Sequence, residues 1–121
     1  MPELQEGRYA GEFVVSEGNG KISRETITVL SGETLEAGAV LGRVTASGKY
    51  KALDPAAVDG SEAAAGILYA AVDASAADAE GVAIVRLAEV NAAELVWPAG
   101  ITAPEQTTAL AELAALTIIA R

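Results

Sequence analysis

The sequence predicts a mainly β protein: a small barrel of short, bent strands, with one or two short helices near the C-terminus and a flexible N-terminal arm. Three observations lead there. Apolar runs are short and are broken by Gly, Asp-Pro and Asp-Gly turn signals at the close intervals of a sandwich or barrel. No helical periodicity precedes residue 90. The hydrophobic share is 51%, yet much of it is Ala and only 4% of residues are aromatic, so the core is expected to be thin and packed by small side chains. The 121 residues suit one domain.

The elements follow in chain order. Residues 1 to 24 carry Gly7, Gly11, Gly18 and Gly20 around one apolar cluster, Phe13-Val14-Val15, and are read as an arm that orders by docking on a partner. Residues 25 to 121 are read as a single compact domain. From 24 to 30 the pattern alternates, with Thr26 and Thr28 on one side and Ile27 and Val29 on the other, the period-two mark of a half-buried strand. Ser31-Gly32-Glu33 turns the chain. Gly38 and Gly42 then stand where a sharply bent ribbon needs positive φ or close backbone approach.

Ser47-Gly48 signals a hairpin ahead of Lys49-Tyr50-Lys51-Ala52-Leu53, and Asp54-Pro55 and Asp59-Gly60 break the chain before an apolar strand at Gly66-Ile67-Leu68. A further strand is expected at Val82-Ala83-Ile84-Val85-Arg86-Leu87. Two capping boxes follow, Asn91-Ala92-Ala93-Glu94 and Thr102-Ala103-Pro104-Glu105, each starting a helix. The first must stop by Trp97, because Pro98 disfavours helix in the residue before it. In the second, Leu110 and Leu113 share a face, and the chain ends as a strand through Leu116-Thr117-Ile118-Ile119.

Composition narrows the chemistry. With no Cys and no His, thiolate and imidazole nucleophiles and nearly all zinc, copper and haem sites are excluded, no cofactor is expected, and the fold suits a reducing cytoplasm. No secretory signal opens the chain, and the longest apolar run, 63 to 72, is far too short to cross a bilayer. Residues 1 to 51 hold six bases against seven acids, while 52 to 121 hold two against ten, so the net charge of -9 sits almost wholly in the second part. An acidic body repels nucleic acid rather than binding it.

Asp54, Asp59 and Glu62, and again Asp73, Asp78 and Glu80, are close enough in sequence for paired-carboxylate hydrolysis, but their turn settings favour solvated loop acids. The stretch 73 to 80 lacks the ligand spacing and mid-loop glycine of an EF-hand. The ribbon at 34 to 41 is similar to lipoyl- and biotinyl-carrier domains, which need a modified lysine at a hairpin tip. Lys49 in Ser47-Gly48-Lys49-Tyr50 does not match that pattern, and a prosthetic-group carrier or small-molecule-binding barrel is kept as the alternative. Trp97, the single Trp, is either a core anchor or an interface anchor, roles that coincide in a trimer.

The order and spacing of Asp59-Gly60, Ala65-Gly66-Ile67-Leu68, Ala71-Val72-Asp73 and Leu95-Val96-Trp97-Pro98 resemble the lambda-type phage head-decoration family, with a likeness running from about residue 35 to the C-terminus. The resemblance implies a clip-like, mainly β fold that trimerises. It implies a non-enzymatic protein, made in the host cytoplasm, that sits on the outer surface of the expanded head and cements capsid subunits against the pressure of packaged DNA. The expected partners are itself and the major capsid protein, with no direct nucleic-acid contact and no membrane. Tyr9, Phe13, Val14, Val15, Ile27 and Val29 are assigned to capsid docking, by adding a strand to a partner sheet. The alternating Ile27 and Val29 fit a strand within this chain's own sheet equally well. Leu95, Trp97 and Pro98 are assigned as core and trimer anchors. The N-terminal region is more Gly-rich and amphipathic than in the lambda protein, which leaves the arm's contacts less defined than the fold.

Overall fold

The computed structural model describes residue 11, residues 13–18 and residues 22–121. It is mainly β. In chain order the strands are β1 (Val14–Glu17), β2 (Arg24–Val29), β3 (Glu33–Leu35), β4 (Val40–Arg43), β5 (Tyr50–Ala52), β6 (Ala64–Leu68), β7 (Val72–Ala74), β8 (Ala79–Ile84) and β9 (Ala88–Val90). A 3-10 turn (Ala92–Glu94), helix α1 (Ala103–Ala115) and strand β10 (Ile118–Ala120) complete the chain.

Five strands close a barrel in the order β2-β5-β4-β6-β8, sealed by antiparallel pairing of β2 with β8 from Arg24↔Ile84 to Val29↔Ala79. Beside it lie a two-stranded ribbon, β3 with β7, and a three-stranded sheet in the order β1-β9-β10, in which β1 runs antiparallel and β10 parallel to β9. Thus the first and last described strands meet on one element.

Two cores explain which strands alternate and which do not. The barrel interior is filled by Ile27, Val29, Leu35, Ala39, Leu41, Leu68, Ala74, Ala83 and Val85. A second core, with Phe13, Val40, Leu53, Ile67, Ile84, Val90, Leu95, Leu113 and Ile118 among its members, lies between the barrel wall, the three-stranded sheet and α1. Neighbours on one strand feed opposite cores: Val40 and Leu41 on β4, Ile67 and Leu68 on β6, Ala83 and Ile84 on β8. A wall covered on both faces reads as a continuous apolar run, which is how Gly66-Ile67-Leu68 reads. Strand β2 is covered on one face only, with Ile27 and Val29 inward, and accordingly alternates.

The bends fall where the glycines were placed. Gly38 is left-handed (φ +91), and a Cβ on Gly42 would collide with the Ser61 backbone carbonyl packed against it. Ser61 and Ser23, the buried polar residues, are satisfied: the Ser61 amide and hydroxyl donate to Asp59 (3.0 and 2.6 Å), and Ser23 Oγ accepts the Gly18 amide and donates to the Leu87 carbonyl (both 2.7 Å).

Both expected helical segments exist, with different extents. The first is only a 3-10 turn in which the Asn91 side chain accepts the Ala93 amide, and Leu95 is already extended. The second is a full helix, longer than expected. Thr102 Oγ1 accepts the Glu105 amide and Glu105 accepts the Thr102 amide, a complete capping box, while Ala109 and Leu113 are buried and Leu110 packs at the core's edge.

Candidate functional site

The residues assigned to docking divide sharply by environment. Tyr9 lies outside the described residues. Phe13 is 1% exposed and belongs to the second core, and its carbonyl accepts the Asn91 amide at 2.7 Å. Ile27 and Val29 are buried in the barrel interior. Val14 is half-buried against the second core, and Val15, at a bulge where the β1–β9 register shifts between Val14 and Ser16, is 58% exposed.

The structure therefore differs from the expectation of a free segment through residue 24. The Gly11 amide donates to the Tyr69 carbonyl at 2.9 Å, and from residue 13 to 17 the chain is part of the three-stranded sheet. Burying the chain's only Phe offsets the ordering of a Gly-rich segment, which is the physical reason it joins the body. Arg24 ties the same region down: it pairs with Glu17 at 2.6 Å and lies over the Tyr69 ring, 4.0 Å from the centroid. With Phe13, Ile27 and Val29 inside the chain's own cores, β1 offers a partner its outer edge and Val15.

Leu95, Trp97 and Pro98 form a strap. The Val96 amide donates to the Gly38 carbonyl (2.8 Å) and the Val40 amide to the Val96 carbonyl (3.1 Å), fixing the segment against the start of β4. Leu95 is buried in the second core and Trp97 packs partly buried against it. Trp97 and Pro98 border a shallow depression of about 260 Å³ floored by Leu35, Ala39 and Val40, and Pro98 also borders a second of about 360 Å³ beside Lys51 and Asp54.

The carboxylates are committed to turns. Asp59 is held below its ordinary value first by the Ser61 hydroxyl and then by the Ser61 amide. Asp73 is lowered by Ser75 and by Thr34, and Asp78 by Lys49 together with the Ser31 amide. Each shift favours the ionised form, opposite to what a general acid needs. Asp73 and Asp78 turn to different partners, and no cluster of three metal-ligating side chains occurs among the described residues. Lys49 Nζ lies 2.5 Å from Asp78, so the amine that a carrier would modify is engaged in an ion pair beside the barrel.

Two features escape sequence reasoning. Leu87 (φ +50) and Thr117 (φ +63) are the non-glycine residues in left-handed backbone among those described, and they are bonded to each other: the Leu87 amide donates to Thr117 Oγ1 (3.0 Å) and the Ala88 amide to the Thr117 carbonyl (3.1 Å). Leucine and a β-branched threonine carry no sequence signal for this conformation. The second is the concentration of exposed apolar side chains around that pair: Leu87, Leu116, Ile119, Ile22 and Val15.

A closed barrel, a strapped Trp-Pro segment, an open N-terminal edge and turn-bound acids make a body suited to contact rather than chemistry. No curated protein matches the chain significantly. The family model for bacteriophage lambda head decoration protein D matches residues 3–118, nearly the whole chain, and the protein belongs to that family of structural phage-head proteins, with the capsid-decorating role and virion location that membership carries.

Proposed function

We propose that the protein is a non-enzymatic cement that binds the exterior of the expanded head as a homotrimer and stabilises it against the pressure of packaged DNA. The observation that carries this reading is the family match across residues 3–118. The partners are further copies of the chain and the major capsid protein, with no direct contact to nucleic acid or membrane. The net charge of -9 opposes phosphate binding, and no helix among the described residues is long and apolar enough to cross a bilayer.

Docking runs through the chain before β1, joined by β1 itself, whose outer edge has no strand neighbour among the described residues. Such an edge pairs with an extended segment through backbone hydrogen bonds. Three such arms on one trimer bind multivalently, so weak single contacts become tight when the shell presents sites at the trimer's spacing. A shell that has not expanded lacks that spacing, which makes binding expansion-dependent. Leu95, Trp97 and Pro98 anchor the strap inside the body, and Trp97 and Pro98 face the neighbouring copy.

Co-sedimentation with expanded and unexpanded heads tests the reading, using the full chain and a version lacking residues 1–10. Deletion to residue 24 would remove β1 and Phe13 and unfold part of the core. Saturable binding to expanded heads alone, lost on removing 1–10, is expected, together with a free protein of three times the 12.2 kDa chain mass. Failure of the full chain to bind either head form would overturn it.

A further inference from the structure

Five of the six large hydrophobic side chains that are well exposed among the described residues gather at one end of the molecule: Val15 (58%), Ile22 (49%), Leu87 (44%), Ile119 (41%) and Leu116 (37%). Their closeness follows from backbone bonds. The Gly18 amide donates to the Leu87 carbonyl (3.0 Å), the Leu87 amide to Thr117 next to Leu116, and Ile119 stands beside Glu89 on the face opposite the buried Ile118. Ile22 joins through its carbonyl, which accepts the Arg86 guanidinium at 2.9 Å. Left-handed backbone at both Leu87 and Thr117 fixes this corner, and residues held in such conformations cluster at functional sites.

Charge separates along the same line. The arginines at this end are each paired with a glutamate: Arg24 with Glu17, Arg86 with Glu25, Arg121 with Glu89. The remaining described residues carry eleven acids against three bases. One end is therefore apolar with a neutral rim, and the rest is strongly acidic.

We propose that this end is a second contact with the capsid shell, made by the folded body and independent of the N-terminal segment. The proposal rests on the decoration reading. Its occupant is an apolar patch of the shell protein with a neutral polar rim, because a nucleic acid or an anionic membrane would need unpaired cations and these three arginines are already neutralised. Continuity singles out the shell: β1, the strand that leads out of the docking segment, forms one side of this surface, so a shell reached by that segment meets Leu87, Leu116 and Ile119 next.

The test compares the full chain, a Leu116→Gln/Ile119→Gln double variant, and Val58→Gln as a control in the β5–β6 loop, by titration against expanded heads stripped of decoration. The double variant should bind about tenfold more weakly with unchanged stoichiometry, while Val58→Gln stays within about twofold of the parent. Binding of the double variant within about twofold of the parent overturns the proposal and leaves the decoration reading standing. A parent that binds no head form removes both. Loss of self-association by the double variant assigns the patch to a second copy and also overturns it. Amide exchange on the unmodified chain decides the matter even if the double variant folds poorly: protection on head binding is expected at 118–120, and its absence there refutes the contact.

Discussion

The five-stranded barrel and the three-stranded sheet of β1, β9 and β10 are built from equally short strands, yet they leave opposite things exposed. In the barrel every strand has two neighbours, the apolar side chains are shared between two cores, and the outward turns carry acids bonded to local hydroxyls and amides. In the small sheet β1 has a neighbour on one side only, the register is bulged, and leucine and isoleucine face water around a left-handed corner. A closed barrel abolishes edges, whereas an open strand with apolar neighbours is a liability unless something covers it. The contrast teaches that stability and recognition are separated in this chain, with the barrel supplying the first and the terminal sheet the second.

The sharpest way to break the comparison is Phe13→Ala. If Phe13 belongs to the second core, as its burial indicates, the substitution costs about 3–5 kcal/mol, a large part of the stability of a small domain. Urea unfolding followed by Trp97 fluorescence measures it. An unchanged midpoint would place Phe13 outside the cooperative unit and return residues 13–17 to a separable arm.

That substitution also marks where sequence reading stops. Period-two alternation located β2, glycine chemistry located the bends at 38 and 42, and capping boxes located both helical starts, because each rests on local rules that a few residues satisfy. The fate of Phe13-Val14-Val15 rests instead on a non-local event, pairing with a strand more than seventy residues away. The cluster looks the same whether it docks on its own body or on a partner. The same holds for Ile27 and Val29, whose alternation shows a buried face without saying what buries it. Leu87 and Thr117 lie further beyond reach, since neither residue type marks a left-handed position. The acids, by contrast, were legible as turn residues from their Asp-Pro and Asp-Gly settings.

A smaller effect sharpens how far the barrel and the terminal sheet are coupled. Helix α1 borders both, packing against β6 of the barrel and leading into β10. Thr102→Ala removes one half of the capping box and should cost about 1 kcal/mol. Amide exchange then reads the coupling: if the two regions unfold together, exchange accelerates alike in β6 and β10. Acceleration confined to β10 would make the terminal sheet a separate, less stable unit.

The smallest effect concerns acid. Asp78 is held below its ordinary value of 3.8, first by Lys49 and then by the Ser31 amide, and it ties the β7–β8 turn to residues next to β2 and β5. A carboxylate lowered on folding contributes stability above its unfolded pKa, and that contribution is lost as pH falls through the lower, folded value. Asp59 and Asp73 shift in the same direction, so acid weakens the turns of the barrel before it touches the hydrophobic contacts of the terminal sheet. Asp78→Asn keeps an oxygen for the Ser31 amide but removes the charge that faces Lys49. Its urea midpoint should therefore fall slightly at pH 7 and converge on that of the parent once the pH is well below 3.8. A gap that persists at low pH would mean that Asp78 acts through shape and hydrogen bonding alone, and the acid response would then have to arise elsewhere in the chain.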